Sequence, residues 1–202
     1  MAAEAALTPP TPQERRAIPR IIIKGAGKNN LHLRDVDPQT KTVVIADSNG
    51  KAFHNATNFP EKTQILAFSG LKIPNLYDLL YNSDKNALQN VKTYVVAVGV
   101  NNRADDDDIA PLADLMRSIQ HWASHRNVRI IWTGIPQFHT PPENMQRTIY
   151  DLNCLAKDIF EQDFVPAISY DQIYPAPWDI TGIHYTTPTA QIILDSVIKH
   201  LN

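Results

Sequence analysis

At 202 residues the chain is long enough to bury one substantial core and too short for two ordinary domains joined by a linker. Its 19 lysines and arginines against 21 aspartates and glutamates leave a net charge of −2, so it lacks the overall basic footprint of a nucleic-acid or anionic-membrane binder. Cys154 is the single cysteine, which excludes an intrachain disulfide and a cysteine-based metal cluster, and no run of about 18 uncharged apolar residues is present to span a bilayer.

Met1 to Pro12 shows no basic segment followed by an apolar one, so no secretory signal is expected; with the lone cysteine this points to an intracellular, cytoplasmic protein. Residues 1–19 carry Pro9, Pro10, Pro12 and Pro19 and no hydrophobic periodicity, and are expected to form a disordered tail or linker ahead of one domain over 20–202. Arg15, Arg16, Arg20 and Lys24 cluster where this tail meets Ile21, Ile22 and Ile23; a solvated linker is the expectation there, ahead of a nucleic-acid arm.

From residue 40 onward, short β-prone apolar runs alternate with longer helical patterns, the signature of βα units and a mostly parallel sheet covered on both faces. Five strands are expected, at Val43 to Ala46, Ile65 to Phe68, Tyr94 to Val98, Val128 to Trp132 and Phe164 to Ile168. Helices are expected over Ile73 to Tyr81, Ile109 to Ala123, Asn144 to Phe160 and Pro188 to Leu201, each with apolar residues three and four apart. Cys154 falls among Ile149, Leu152, Leu155 and Ile159 and is expected to be a buried small hydrophobe. Asp105 to Asp108 precede the second helix, where the helix dipole favours negative charge, so they read as a solvated helix start and no metal is implied.

In an open parallel sheet, ligands bind beyond the carboxyl ends of the strands, so the polar residues that follow each strand are the ones to read. Asp47-Ser48-Asn49-Gly50 follows the first expected strand, and Asp47 or Ser48 there could simply cap the next helix. Gly70 follows the second, where a missing side chain lets a backbone N–H approach a ligand; Gly99-Val100-Asn101-Asn102-Arg103 follows the third and offers an amide. His184, in Gly182-Ile183-His184-Tyr185-Thr186-Thr187-Pro188, stands just before the last helix, whereas His32, His54, His121, His125, His139 and His200 read as structural or exposed. Neither Gly-x-Gly-x-x-Gly nor a Walker-type loop follows the first strand, which argues against a nucleotide-binding domain, and no Gly-x-Ser-x-Gly elbow is present.

Taken in order, these four pieces resemble the GDSL/SGNH hydrolases: Ala46-Asp47-Ser48 is similar to the Gly-Asp-Ser block, Gly70 to the glycine of the second, Gly99-Val100-Asn101 to Gly-x-Asn, and His184 to the histidine of the final Asp-x-x-His. The resemblance covers residues 40–202 and implies a three-layer α/β/α sandwich around a five-stranded mostly parallel sheet, SGNH-hydrolase and flavodoxin-like in type. It further implies a serine esterase acting on an acetyl or lipid acyl ester, without cofactor or metal, in which Ser48 attacks the carbonyl and His184 is the base. The Ser48 and Gly70 N–H groups and the Asn101 amide would form the oxyanion hole. The same machinery serves hydrolysis and acyl transfer.

Two positions depart from the pattern. Ala46 replaces a glycine, and Thr181 stands three before His184 where the acid belongs. Asp179 could orient the imidazole through a differently shaped loop, or be a surface carboxylate; Thr181 or a backbone carbonyl could serve a Ser-His dyad; or the site could be inactive. Val98 to Arg103, Ile183 to Thr186, and Thr189-Ala190 further resemble the esterase domain in the first open-reading-frame protein of LINE-type non-LTR retrotransposons. That resemblance implies nucleic-acid-binding segments outside this domain, and a catalytically weak or dead binding module of the same fold in a ribonucleoprotein as the rival to an enzyme. Phe53, Phe59, Tyr77, Phe138, Tyr174, Trp178 and Tyr185 lie in or near candidate loops, where they could line an acyl pocket or simply pack.

Overall fold

The structure is a computed structural model that describes residues 21–23, 33, 36–53, 56, 59–60, 62–83, 88–103, 109–137, 143–169, 178–179 and 184–201. The expected tail at 1–19, the basic cluster Arg15, Arg16, Arg20 and Lys24, the acidic run Asp105 to Asp108, Phe138, Tyr174, Thr181, His32, His54 and His139 lie outside the described residues.

In chain order the elements are β1 (Ile21–Ile23), β2 (Thr42–Ala46), α1 (Gly50–Phe53), β3 (Thr63–Phe68), α2 (Ile73–Tyr81), β4 (Thr93–Ala97), α3 (Ala110–Arg126), β5 (Arg129–Thr133), α4 (Glu143–Phe160), β6 (Phe164–Val165) and α5 (Thr187–Leu201). The sheet has six strands in the order β1-β3-β2-β4-β5-β6, with every neighbouring pair parallel. All five expected strands are present, and the short strand Ile21–Ile23, which the Pro-rich approach conceals, adds an edge beside β3.

β2 and β3 are buried along their whole length, which is why they read as unbroken apolar runs rather than as alternating ones. Covering them, α2, α3 and α4 touch one another in series while α1 touches α5; α3, α4 and α5 all reach β5. Helices on both faces of one sheet make the three-layer α/β/α fold that the alternation predicts.

Helix faces follow from periodicity. In α3, Leu112, Met116, Ile119, Trp122 and Ala123 are buried, and the helix ends at Asn127, whose left-handed φ of 52° lets its N–H reach the Ala123 and Ser124 carbonyls. In α4 the buried stripe is Thr148, Ile149, Leu152, Ala156, Ile159 and Phe160. Cys154 is exposed, not buried as its apolar neighbours suggest. Two residues beyond Leu152 it is turned about 200° from that stripe, which puts it on the solvent face with Tyr150, itself 57% exposed.

The tightest packing lies where α1 sits on the sheet. A Cβ at Gly50 would stand 2.7 Å from the Ala67 methyl and 2.9 Å from the Ala46 methyl. Ala46 is therefore accommodated in place of glycine because residue 50 has no side chain. Gly50→Val should destabilise the fold by about 1–3 kcal/mol through overpacking, read as a lower urea midpoint; an unchanged midpoint would show that α1 shifts freely on the sheet.

Candidate active site

Leaving out β1, the order β3-β2-β4-β5-β6 is the doubly wound order in which the chain leaves β2 toward one side and later returns to the other. Loops after β2 and β4 therefore diverge and open a crevice at the carboxyl edge. Ser48 lies just past the end of β2, and Asn101 just past β4.

The turn after β2 is built around a carboxyl group. The Asp47 N–H donates to the Ala97 carbonyl at 3.3 Å, carrying the ladder one residue beyond β2. Asp47 Oδ1 then accepts both the Asn49 backbone N–H and the Asn49 side-chain amide, each at 2.9 Å, and the Gly50 N–H donates to the Asp47 carbonyl at 3.0 Å. Asp47 thus ties down the entry to α1, as its reading as a cap requires, while Ser48 is left half-buried at the crest.

His184 reaches the same crest from the far end of the chain. Trp178 and Tyr185 form an antiparallel bridge, and the Asp179 N–H donates to the His184 carbonyl at 2.7 Å, so Asp179 and His184 stand directly opposite one another. Asp179 Oδ2 lies 3.7 Å from His184 Nδ1, with the two side chains 37% and 36% exposed. The segment is anchored on three sides. Trp178 Nε1 donates to the Gln137 carbonyl at 2.9 Å, the Tyr185 ring packs against Trp178 and Phe53, and Thr186 Oγ1 caps α5 by accepting the Thr189 N–H.

Ser48, Asp179 and His184 line one open cleft of about 340 Å³, together with Asn49, Lys51, Ala52, Tyr185 and Thr187. Among the described residues no hydrogen bond joins the Ser48 hydroxyl to the His184 ring. Gly70 and Asn101 are not among those lining residues. Gly70 has a φ of +76°, a conformation that favours glycine, and the space where its side chain would be is open. The Asn101 amide donates to the Leu71 carbonyl at 3.2 Å, linking the loops after β4 and β3 and leaving its second N–H. Neither the Ser48 nor the Gly70 N–H meets an acceptor among the described residues.

Of the aromatic candidates, Phe53 and Trp178 are buried, Phe59 and Tyr77 pack against the core, and Tyr185 borders the cleft. Nothing in the sequence singles out Asn49. It is 1% exposed, and its Oδ1 accepts the Tyr185 N–H at 2.7 Å across 136 positions, a link that no local pattern signals.

Burial dominates the electrostatics. Asp47, 1% exposed, is pushed up to about 7 by loss of solvation, which outweighs its two hydrogen bonds from Asn49 and the positive charge of Arg103. The Tyr185 hydroxyl is also pushed well above its ordinary value by burial, with the Asp47 charge adding to the effect. Among the described residues there is no cluster of three or more His, Cys, Asp or Glu able to hold a metal ion, and no helix is long and apolar enough to cross a membrane.

No protein-family model matches the sequence, and no curated protein matches it. Solved structures do match its fold. A Streptococcus pneumonia protein named only provisionally as a platelet activating factor is 15% identical, with a TM-score of 0.64 over 81% of this chain and 85% of its own. TesA is 16% identical, with a TM-score of 0.62 over 81% and 98%. A variant of Axe2, an acetyl-xylooligosaccharide esterase from Geobacillus Stearmophilus, is 14% identical, with a TM-score of 0.60 over 83% and 96%. The chain shares its α/β fold with these proteins and with a GDSL-like lipase from Bacteroides thetaiotaomicron.

A buried carboxyl that resists ionisation sets the pH dependence of stability. Asp47 keeps its proton in the folded state up to about 7, while the unfolded chain releases it near 3.8. Its contribution is therefore most favourable below the lower value and is lost as pH rises through the window between the two. Asp47→Asn, which keeps an acceptor oxygen without the charge, should match the native protein in stability at pH 4 and exceed it by a few kcal/mol at pH 8. Urea unfolding at the two pH values measures the difference, and an equal difference at both would mean that Asp47 is ionised at little cost.

Proposed function

We propose that this chain is a serine esterase that hydrolyses a small acyl ester through an acyl-enzyme on Ser48. The observation that carries the reading is the convergence of Ser48, Asp179 and His184 on one cleft at the sheet's carboxyl edge. With His184 Nδ1 facing Asp179, Nε2 takes the Ser48 hydroxyl proton as Oγ attacks the ester carbonyl. The proton passes to the departing alkoxide, and the alcohol leaves. A water then gives a proton to Nε2 and attacks the acyl carbon, and release of the acid restores Ser48.

The charge that develops on the carbonyl oxygen needs donors already in place. The unengaged N–H groups of Ser48 and Gly70 and the second N–H of the Asn101 amide suit that role. Asp179 acts as the orienter of the imidazole, in place of the acid missing at Thr181. The described lining of the cleft sets the polar groups of Lys51 and Thr187 beside a similar share of apolar surface, and a cleft of about 340 Å³ suits a short acyl group, acetyl above all. The finer resemblance to a retrotransposon esterase domain rests on Val98 to Arg103 and Ile183 to Thr186, and would add nucleic-acid contacts outside residues 20–202.

A fluorophosphonate probe and a series of p-nitrophenyl esters test the reading. The probe should label Ser48 and lose that labelling in His184→Ala, and turnover should fall with acyl length from acetate onward. Ser48→Ala should abolish turnover, Asn101→Ala should lower kcat by about 100-fold, and Asp179→Ala should lower it by about 10²-fold. Folded protein that neither labels nor turns over any ester would instead be a binding module of the same fold.

A further inference from the structure

Asn49 takes no part in the proposed chemistry, yet it borders the cleft while 1% exposed and uses both ends of its side chain. Its amide nitrogen and its backbone N–H both donate to Asp47 Oδ1 at 2.9 Å, while its Oδ1 accepts the Tyr185 N–H at 2.7 Å. The nucleophile's turn and the histidine's segment are thus joined directly.

One peptide group carries the consequence. The carbonyl of His184 accepts from the Asp179 N–H at 2.7 Å, and the N–H of the same peptide, that of Tyr185, donates to Asn49. Because a peptide is planar, engaging both its oxygen and its nitrogen fixes the plane from which the His184 side chain springs. The residue making the second contact is covalently next to Ser48. We propose that Asn49 is a positioning residue that sets the register of His184 against Ser48; the role rests on the esterase reading above.

Displacing a general base by about 1 Å costs on the order of 100-fold in turnover without changing how substrate is held. Asn49→Ala should therefore lower kcat for p-nitrophenyl acetate by about 100-fold and leave KM within about threefold. Amide exchange at Tyr185 should accelerate while the amides of Val43 to Ile45 in β2 stay protected. Asn49→Asp keeps an acceptor for the Tyr185 N–H, and a proton shared with Asp47 can replace the lost amide donor, so it should recover to within about tenfold of the native kcat. The role is overturned if Asn49→Ala keeps kcat within about threefold of the native value, if exchange at Tyr185 is unchanged, if protection is lost equally across β2, or if the two variants are equally impaired. A native protein inert toward every ester would end the esterase reading and this role with it; native turnover with an undisturbed Asn49→Ala would end this role alone.

Discussion

A parallel sheet covered on both faces leaves little room for polar side chains in its interior, because each would need a partner where water is excluded. Such groups are displaced to the strand ends, and parallel pairing brings every carboxyl end to the same edge. In this chain β2 lies between β3 and β4, and the loops leaving β2 and β4 part from one another. Ser48 sits at that parting, and the antiparallel bridge of Trp178 with Tyr185 delivers His184 to it just before α5 begins. The positions of the candidate residues follow from strand order before any chemistry is considered.

One exception to polar exclusion adjoins the cleft. Asp47 and Asn49 are both 1% exposed, and the phenol of Tyr185 lies near enough to feel the Asp47 charge. Burying a carboxyl is unfavourable unless its charge is suppressed or its oxygens are engaged, and both remedies operate here. The inclusion does not serve stability alone, since an apolar turn would fill the same space at less cost. It supplies directional contacts, and these hold the serine's turn and the histidine's segment in one arrangement that side-chain packing by Phe53, Trp178 and Tyr185 then reinforces.

Much of the fold was legible in the sequence because it rests on periodicity. Strands β2 to β6 overlap nearly unbroken apolar runs and the four longer helices carry spacings of three and four, so type and order could be read directly. β1 could not, since three isoleucines behind a Pro-rich stretch carry no period and pair only with β3, about 45 residues later. Cys154 was misread because Leu152 and Leu155 flank it in sequence while the buried face of α4 turns the other way. At the site, Ser48 and His184 stood out through their places beside element ends. Asn49 did not, because its partner lies 136 positions away and nothing local requires it. Long-range contacts between loops leave no periodic trace.

The pairing of Asp179 with His184 illustrates the same limit. Aspartate three residues before histidine is one way to bring a carboxylate to an imidazole, and Thr181 closes that way. Opposition across an antiparallel pair is another: with Trp178 facing Tyr185, Asp179 must face His184 whatever the intervening residues do. The carboxylate reaches only to 3.7 Å, and both groups are more than a third exposed, so solvent weakens its hold on the ring. The hydrogen bonds on the His184–Tyr185 peptide are shorter, and the one to Asn49 is buried. In this arrangement two backbone hydrogen bonds hold the peptide that follows the His184 Cα while the Asp179 carboxylate faces the ring itself, so backbone and side chain act together on the imidazole.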